Sequence, residues 1–176
     1  MKKTIVLSLI VLFSFLLSSC DDNAKTRSFF QENYTISHRQ VHHIRVGTIY
    51  NYDPMRASQT VVDSLADLHG FFETHQGVID FDTSYGGDNP SFSVLAEQYD
   101  EGFFETNGVI ILIIDEGSGS IRHHVKGLEV NEDMLMILLE REVPETGTDD
   151  MATWLIVIEY EKASLAFEDT EIIWQD

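Results

Sequence analysis

Val109-Ile110-Ile111-Leu112-Ile113-Ile114 decides the fold. Successive side chains of a strand point to opposite faces, so a strand with one wet face alternates apolar and polar residues. Six aliphatic residues in a row leave no polar face, and the segment reads as a central strand covered on both sides. Residues 134–139 (MLMILL) and 154–158 (WLIVI) have the same character. The stretch 121–130 between them does alternate, but its phase changes midway. Ile121, His123 and Val125 are odd, whereas Leu128 and Val130 are even. A period of two shifts only through an extra residue, which predicts a β-bulge near Lys126-Gly127.

The connections at 116–120, 131–133 and 143–152 are short enough for an antiparallel meander. A last strand is expected at 172–174. Toward the N-terminus, Ile44, Val46, Thr48 and Tyr50 alternate with Arg45, Gly47 and Ile49, again as in a strand. Asn51-Tyr52-Asp53-Pro54 reads as a turn, and residues 58–63 as a second short strand. Ser64-Leu65-Ala66-Asp67 matches a capping box, with the hydroxyl accepting from the Asp67 amide. Leu65, Leu68, Phe71 and Phe72 then share one helical stripe, which Gly77 would end. A second helical stretch carries Phe92, Leu95, Tyr99 and Phe103. The expectation is one α+β domain over residues 36–176. In it an antiparallel meander sheet of at least four strands packs against one or two helices. The far face of the sheet is expected to be covered by the 44–50 strand and the C-terminal strand.

The first nineteen residues carry an export signal. Lys2 and Lys3 form a positive start, and residues 5–17 are apolar apart from Ser8 and Ser14. That run is shorter than the roughly 20 apolar residues a bilayer span needs. Leu17-Ser18-Ser19-Cys20 follows and resembles a bacterial lipobox, whose thiol carries diacylglycerol. Cys20 is the only cysteine in 176 residues, so lipidation accounts for it and no intramolecular disulfide exists. Residues 20–35 then read as a lipidated tether. The expected location is extracytoplasmic, anchored by lipid to a bacterial membrane. Asp21 would affect sorting only in a double-membrane cell.

The chain holds 30 acidic residues against 11 Lys and Arg, for a formal charge of −19. This balance excludes nucleic acid, whose phosphates need cationic neutralisation. It equally opposes docking on anionic lipid, leaving the acyl chains to do the anchoring. With 43% hydrophobic residues the chain has enough apolar side chains for a core.

Candidate chemistry is thin. Asp80-Phe81-Asp82-Thr83-Ser84 opens like a calcium loop, but Tyr85 and Ser91 stand where an EF-hand needs glycine and a carboxylate. His42-His43 and His123-His124 are strand neighbours facing opposite ways, so neither pair chelates one ion alone. Gly117-Ser118-Gly119-Ser120 lacks the Gly-Lys-Ser/Thr end of a phosphate loop, and no Gly-x-Ser-x-Gly elbow occurs. No metal and no cofactor is expected. Asp149-Asp150 offers acid–base groups for an extracytoplasmic hydrolase, the alternative to a non-enzymatic binding or scaffolding module.

The segment 99–158 also carries a resemblance. Tyr99-Asp100-Glu101-Gly102-Phe103-Phe104 is followed by an apolar strand, the Gly/Ser turn at 117–120 and the strand beginning Ile121-Arg122-His123. Val143-Pro144-Glu145-Thr146-Gly147-Thr148 and Trp154 complete the pattern. It resembles a family of uncharacterised exported bacterial proteins and, more distantly, the C-terminal domain of PrcB-type lipoproteins, which bind and stabilise a surface protease complex. The turn departs from that pattern, with Gly119-Ser120-Ile121 where Gly-Gly-Tyr is favoured. The resemblance implies an envelope protein partner such as a protease, and it carries over no catalytic residue.

In a meander, alternate turns share one end of the sheet. Ser118, Ser120, Arg122 and His124 should therefore lie near Glu145, Thr148, Asp149, Asp150 and Trp154. Two roles are open for this end. Arg122 could clamp the acidic loop by an ion pair, or the end could be the partner-binding surface. His123 should point toward the core with Ile121 and Val125, while Arg122 and His124 point away.

Overall fold

The computed structural model describes residues 34–36, 40–48, 57–85, 89–164 and 166–175. All belong to one compact unit, Glu32–Asp176. The expected export signal, Cys20, most of the expected tether and the expected 51–54 turn lie outside the described residues. Among the described residues no helix is long and apolar enough to cross a membrane.

Ten residues of β5 (Asn107–Glu116) pair antiparallel with β8 (Ala152–Glu161), Ile110 opposite Ile158 and Ile114 opposite Trp154. These strands are the middle of a five-stranded sheet. Its order is β3 (Ala57–Val62), β5, β8, β2 (Gln40–Thr48) and β4 (Ile79–Asp80). The odd face of β5, with Val109, Ile111 and Ile113, joins Leu155 and Val157 against a helical layer. That layer comprises α1 (Leu65–His75), α2 (Phe92–Ala96) and α3 (Glu101–Phe104), and it buries Leu68, Phe71, Phe92, Leu95, Tyr99 and Phe104. The even face presents Ile110, Leu112, Ile114, Ile156, Ile158 and Tyr160 to Leu128, Leu135, Ile137 and Leu139 of a second sheet. Two covering layers explain why β5 and β8 do not alternate. Burying each such side chain contributes about 1.5–3 kcal/mol.

The second sheet has the order β1 (Tyr34–Ile36), β6 (Arg122–Asn131), β7 (Met134–Glu142) and β9 (Asp169–Gln175). β9 runs parallel to β7, and the other pairs are antiparallel. The α+β class holds, with a sheet of at least four strands packed on helices, but the route through the strands differs from a simple meander. Among the described strands only β6 and β7 are neighbours both in sequence and in space. The 117–121 and 143–151 connections cross between the sheets, and their lengths suit a crossing as well as a hairpin. β2 extends the middle sheet beside β8 instead of covering its far face, whereas β9 does belong to the covering sheet. β7 is buried on one face only. Leu135, Ile137 and Leu139 are inside, and Met134, Met136 and Leu138 are half-exposed.

Local details follow the residue pattern closely. The Ser64 hydroxyl accepts from the Asp67 amide at 3.1 Å and donates to the Asp67 carboxylate at 2.7 Å. α1 ends at His75. The β6–β7 register shifts between Val125 and Gly127, the bulge that the change of phase requires. The β6–β7 hairpin turns through Glu132-Asp133, with Glu132 at φ 56°. Strand β1 begins at Tyr34, inside the span read as tether.

Antiparallel pairing gives the sandwich two distinct ends. At one, the loop pole, lie the end of β5, the start of β8, the start of β6 and the end of β7. At the other, the hairpin pole, lies the β6–β7 turn. There β1 enters, with Tyr34 opposite Val130.

Candidate functional site

The loop pole brings together most of the residues that the sequence singles out. Glu116 is opposite Ala152 across the β5–β8 pair, so the turn after β5 lies against the loop before β8. The juxtaposition expected from a meander thus arises from a different pairing. Ser118 Oγ donates to the Thr148 carbonyl at 2.6 Å, and the Thr148 amide donates to Ser120 Oγ at 2.8 Å. The Gly119 amide donates to the Asp150 carbonyl at 2.7 Å and meets the Asp150 carboxylate at 3.2 Å.

The ion pair that holds this loop comes from Arg45, not Arg122. Arg45 Nη2 reaches Asp150 Oδ2 at 2.6 Å and the Met151 carbonyl at 3.3 Å. Hydrogen bonds from Thr148 and then Arg45 bring the Asp150 carboxyl down to about 2. Gly119 is required for this approach, since a Cβ there would stand 2.5 Å from the Arg45 guanidinium. Glu145 and Asp149 stay exposed on the loop and take no part in that ion pair. His124 faces outward and meets Glu142 at 2.8 Å.

Arg122 is engaged differently. Its Nη1 donates to the carbonyls of Gly119 at 2.6 Å and Ile121 at 3.1 Å. Its guanidinium carbon lies 4.9 Å from the Trp154 ring centroid, a cation–π contact. Trp154 stands opposite Arg45 in the β2–β8 register. It is only 8% exposed, yet its indole Nε1 has no hydrogen-bond partner. A buried donor left unmade costs about 1–3 kcal/mol.

Beneath the pole lies a buried polar cluster. Arg141 Nε and Nη2 each donate to Glu116 at 2.7 Å, and His123 Nε2 meets the same carboxylate at 2.9 Å. His123 points inward, as its alternation requires, with its ring 6.0 Å from that of Trp174. Burial pushes the Glu116 carboxyl up, but the bonds from Arg141 and His123 outweigh it and leave the group below its ordinary value. Burial lowers His123, partly opposed by Glu116.

Four of the five exposed large hydrophobic residues among those described also lie here. Val143 and Met151 flank the loop, Trp174 ends β9, and Tyr85 bonds the Arg45 carbonyl through its amide at 2.8 Å. All three described arginines, Arg45, Arg122 and Arg141, share this pole. The hairpin pole instead carries shallow depressions. One of about 370 Å³ is lined by Asp63, Asp133, Tyr160, Lys162 and Phe167, with Tyr160 donating to Asp63 at 2.6 Å.

Arg45, Glu116 and Arg141 were not singled out by the sequence reading. Parity held a signal for two of them. Glu116 continues the inward even series of β5, and Arg141 the inward odd series of β7. No family model, curated protein or solved structure matches the chain.

Proposed function

We propose that this protein is a lipid-anchored extracytoplasmic binding or scaffolding module that holds a protein partner at its loop pole. One observation carries the reading: four exposed apolar or aromatic side chains and the three described arginines gather at one end of the domain, beside the acidic loop. Aromatic residues, Met and Arg are the types enriched in protein interfaces, and aromatic residues and Arg among those that dominate binding energy. The chain enters the domain at the opposite pole, through β1. With Cys20 lipidated, a tether of some fourteen residues would therefore leave from the hairpin pole. An envelope protein, a protease complex among the candidates, is the class of partner this arrangement suits.

The hydrolase alternative needs a carboxyl group held protonated or poised as a base near neutral pH. The carboxylates with a resolved shift, Glu116, Glu140 and Asp150, all move down, which weighs against it. The test is capture from the native envelope with the acylated protein as bait, wild type against Val143→Asp/Met151→Asp. Both positions are more than half exposed, so the variant keeps its fold. A partner held by wild type and lost by the variant supports the proposal. Equal capture would move the surface elsewhere, and repeated recovery of nothing would overturn the binding reading.

A further inference from the structure

We propose that Arg122 and Trp154 form a carboxylate-recognition point, which takes a C-terminal carboxylate or an Asp or Glu side chain of the partner. The proposal rests on the binding reading above and names the chemistry that this pole recognises.

Three observations carry it. Arg45 and Arg141 are both committed to carboxylates of the chain itself, at 2.6 and 2.7 Å. Arg122 is not. Its Nη1 serves two backbone carbonyls, and among the described residues no carboxylate pairs with the edge formed by Nε and Nη2; Glu142, opposite it in the β6–β7 register, pairs with His124 instead. That edge is the geometry that binds a carboxylate with two parallel hydrogen bonds.

The second observation is the indole under the guanidinium. Trp154 is more than nine-tenths buried, and its Nε1 donor has no partner. Nε1 is closed off from solvent and lies in the ring plane, while the guanidinium lies over the ring face, so a carboxylate takes the guanidinium edge and the indole N–H beneath reports the contact. Lys162 provides the contrast at the other pole. It too spends its ammonium on backbone carbonyls, those of Asp63 and Phe104, at 2.6 Å each, and lies over an aromatic ring. Phe104 has no polar atom left unanswered. An unanswered donor beside an acid-free cation is found at the Arg122 end.

The third observation is the surround. Val143, Met151 and Trp174 are exposed at the same pole. Apolar contacts that exclude water from a central charged anchor are the usual setting of an interface hot spot. The same exclusion strengthens a charge-assisted hydrogen bond.

The chain has two tryptophans, so the ¹⁵N-labelled acylated protein in detergent micelles gives two indole N–H signals, assigned by Trp174→Phe. The probes are an acetylated alanine-alanine-aspartate peptide with a free C-terminus, its C-terminal amide, and the asparagine amide. The Trp154 signal should shift and saturate with the first peptide, and stay still with the asparagine amide and with sodium chloride at equal ionic strength. Movement with the aspartate amide marks side-chain recognition. Its loss on amidation marks recognition of the chain terminus. Arg122→Gln should abolish the response, and Arg122→Lys should weaken it about tenfold, since lysine keeps the charge without the fork. The lysine variant decides if the glutamine variant fails to fold. A Trp154 signal unmoved by every peptide overturns the proposal, as does an undiminished response in both Arg122 variants. If the envelope partner is captured equally by wild type and by Arg122→Lys, this point falls while the binding reading stands. If no partner is captured at all, the binding reading falls, and the peptide titration alone judges the point.

Discussion

Glu116→Gln tests the cluster that underlies the loop pole. The Glu116 carboxylate is 4% exposed and takes three charge-assisted bonds, two from Arg141 and one from His123. An amide of the same shape keeps one accepting oxygen and turns an NH₂ toward groups that are themselves donors. Removing one partner of a buried ion pair costs about 3–5 kcal/mol, because the other charge is left uncompensated. The Arg141 side chain is 33% exposed, so water relieves part of that cost. Discounted for that screening, the expected loss is roughly 2–3 kcal/mol. Urea unfolding at pH 7 measures it. A cycle with Arg141→Met should show that the double variant loses at least about 1 kcal/mol less than the sum of the single ones. The pH dependence has a definite sign. The folded-state pKa of Glu116 lies below its ordinary 4.5, so its contribution is complete above that value and is lost as pH falls below it. The glutamine variant should flatten that part of the wild-type curve. A Glu116→Gln protein within about 0.5 kcal/mol of wild type at pH 7 would refute the reasoning.

Burial, then the charges of His124, His123 and His42, lowers His43 to about 4. The stability it contributes is full above 6.5 and is lost between 6.5 and about 4. At pH 5 that loss is about 1 kcal/mol after discounting for partial exposure, and His43→Gln should remove it; an unchanged slope in urea titrations would contradict this. Glu132→Gly should raise the urea midpoint, because a left-handed residue with a Cβ costs about 1–2 kcal/mol and glycine returns part of that gain as chain entropy. A lower midpoint would rule out the strained turn. Arg45→Ala should raise the Asp150 carboxyl toward its ordinary 3.8 and speed amide exchange across residues 145–150, and unaltered exchange would remove Arg45 as the clamp. Cys20→Ser should abolish lipid labelling and release the protein from membranes, and unchanged membrane association would defeat the lipobox reading.

The layers of the fold were legible where residue type is periodic. Of the three apolar runs that read as strands covered on both faces, β5 and β8 form the covered middle layer and 134–139 keeps one half-exposed face, while the change of phase at 125–127 located the bulge. Strand order was not legible, because a connection of five to nine residues joins neighbours in one sheet as readily as strands in facing sheets. The loop pole was legible all the same, since the end of β5 and the start of β8 share one end in either arrangement, though only the β5–β8 pairing makes them neighbours. The identity of the clamp did not. Arg45 lies about a hundred residues from Asp150 and reaches it only because β2 pairs with β8, with Arg45 opposite Trp154. Nothing near residue 150 encodes that neighbour. Arg122 is adjacent in sequence to the turn, and adjacency favoured the wrong arginine.

The middle layer also explains why the chemistry gathers at the poles. Strands covered on both faces have no surface of their own, so a polar side chain is tolerated only where a strand ends and a partner is at hand. At the loop pole Glu116 meets Arg141 and His123, and Asp115 accepts from Thr153 at 2.6 Å. At the other, Tyr99 donates to Glu159 at 3.1 Å and Tyr160 to Asp63. Which pole the strand β1 starts from is set by its direction. β1 runs antiparallel to β6, so it begins beside the β6–β7 hairpin turn, away from Arg122. A parallel β1 would begin near the start of β6, against Arg122 and the acidic loop.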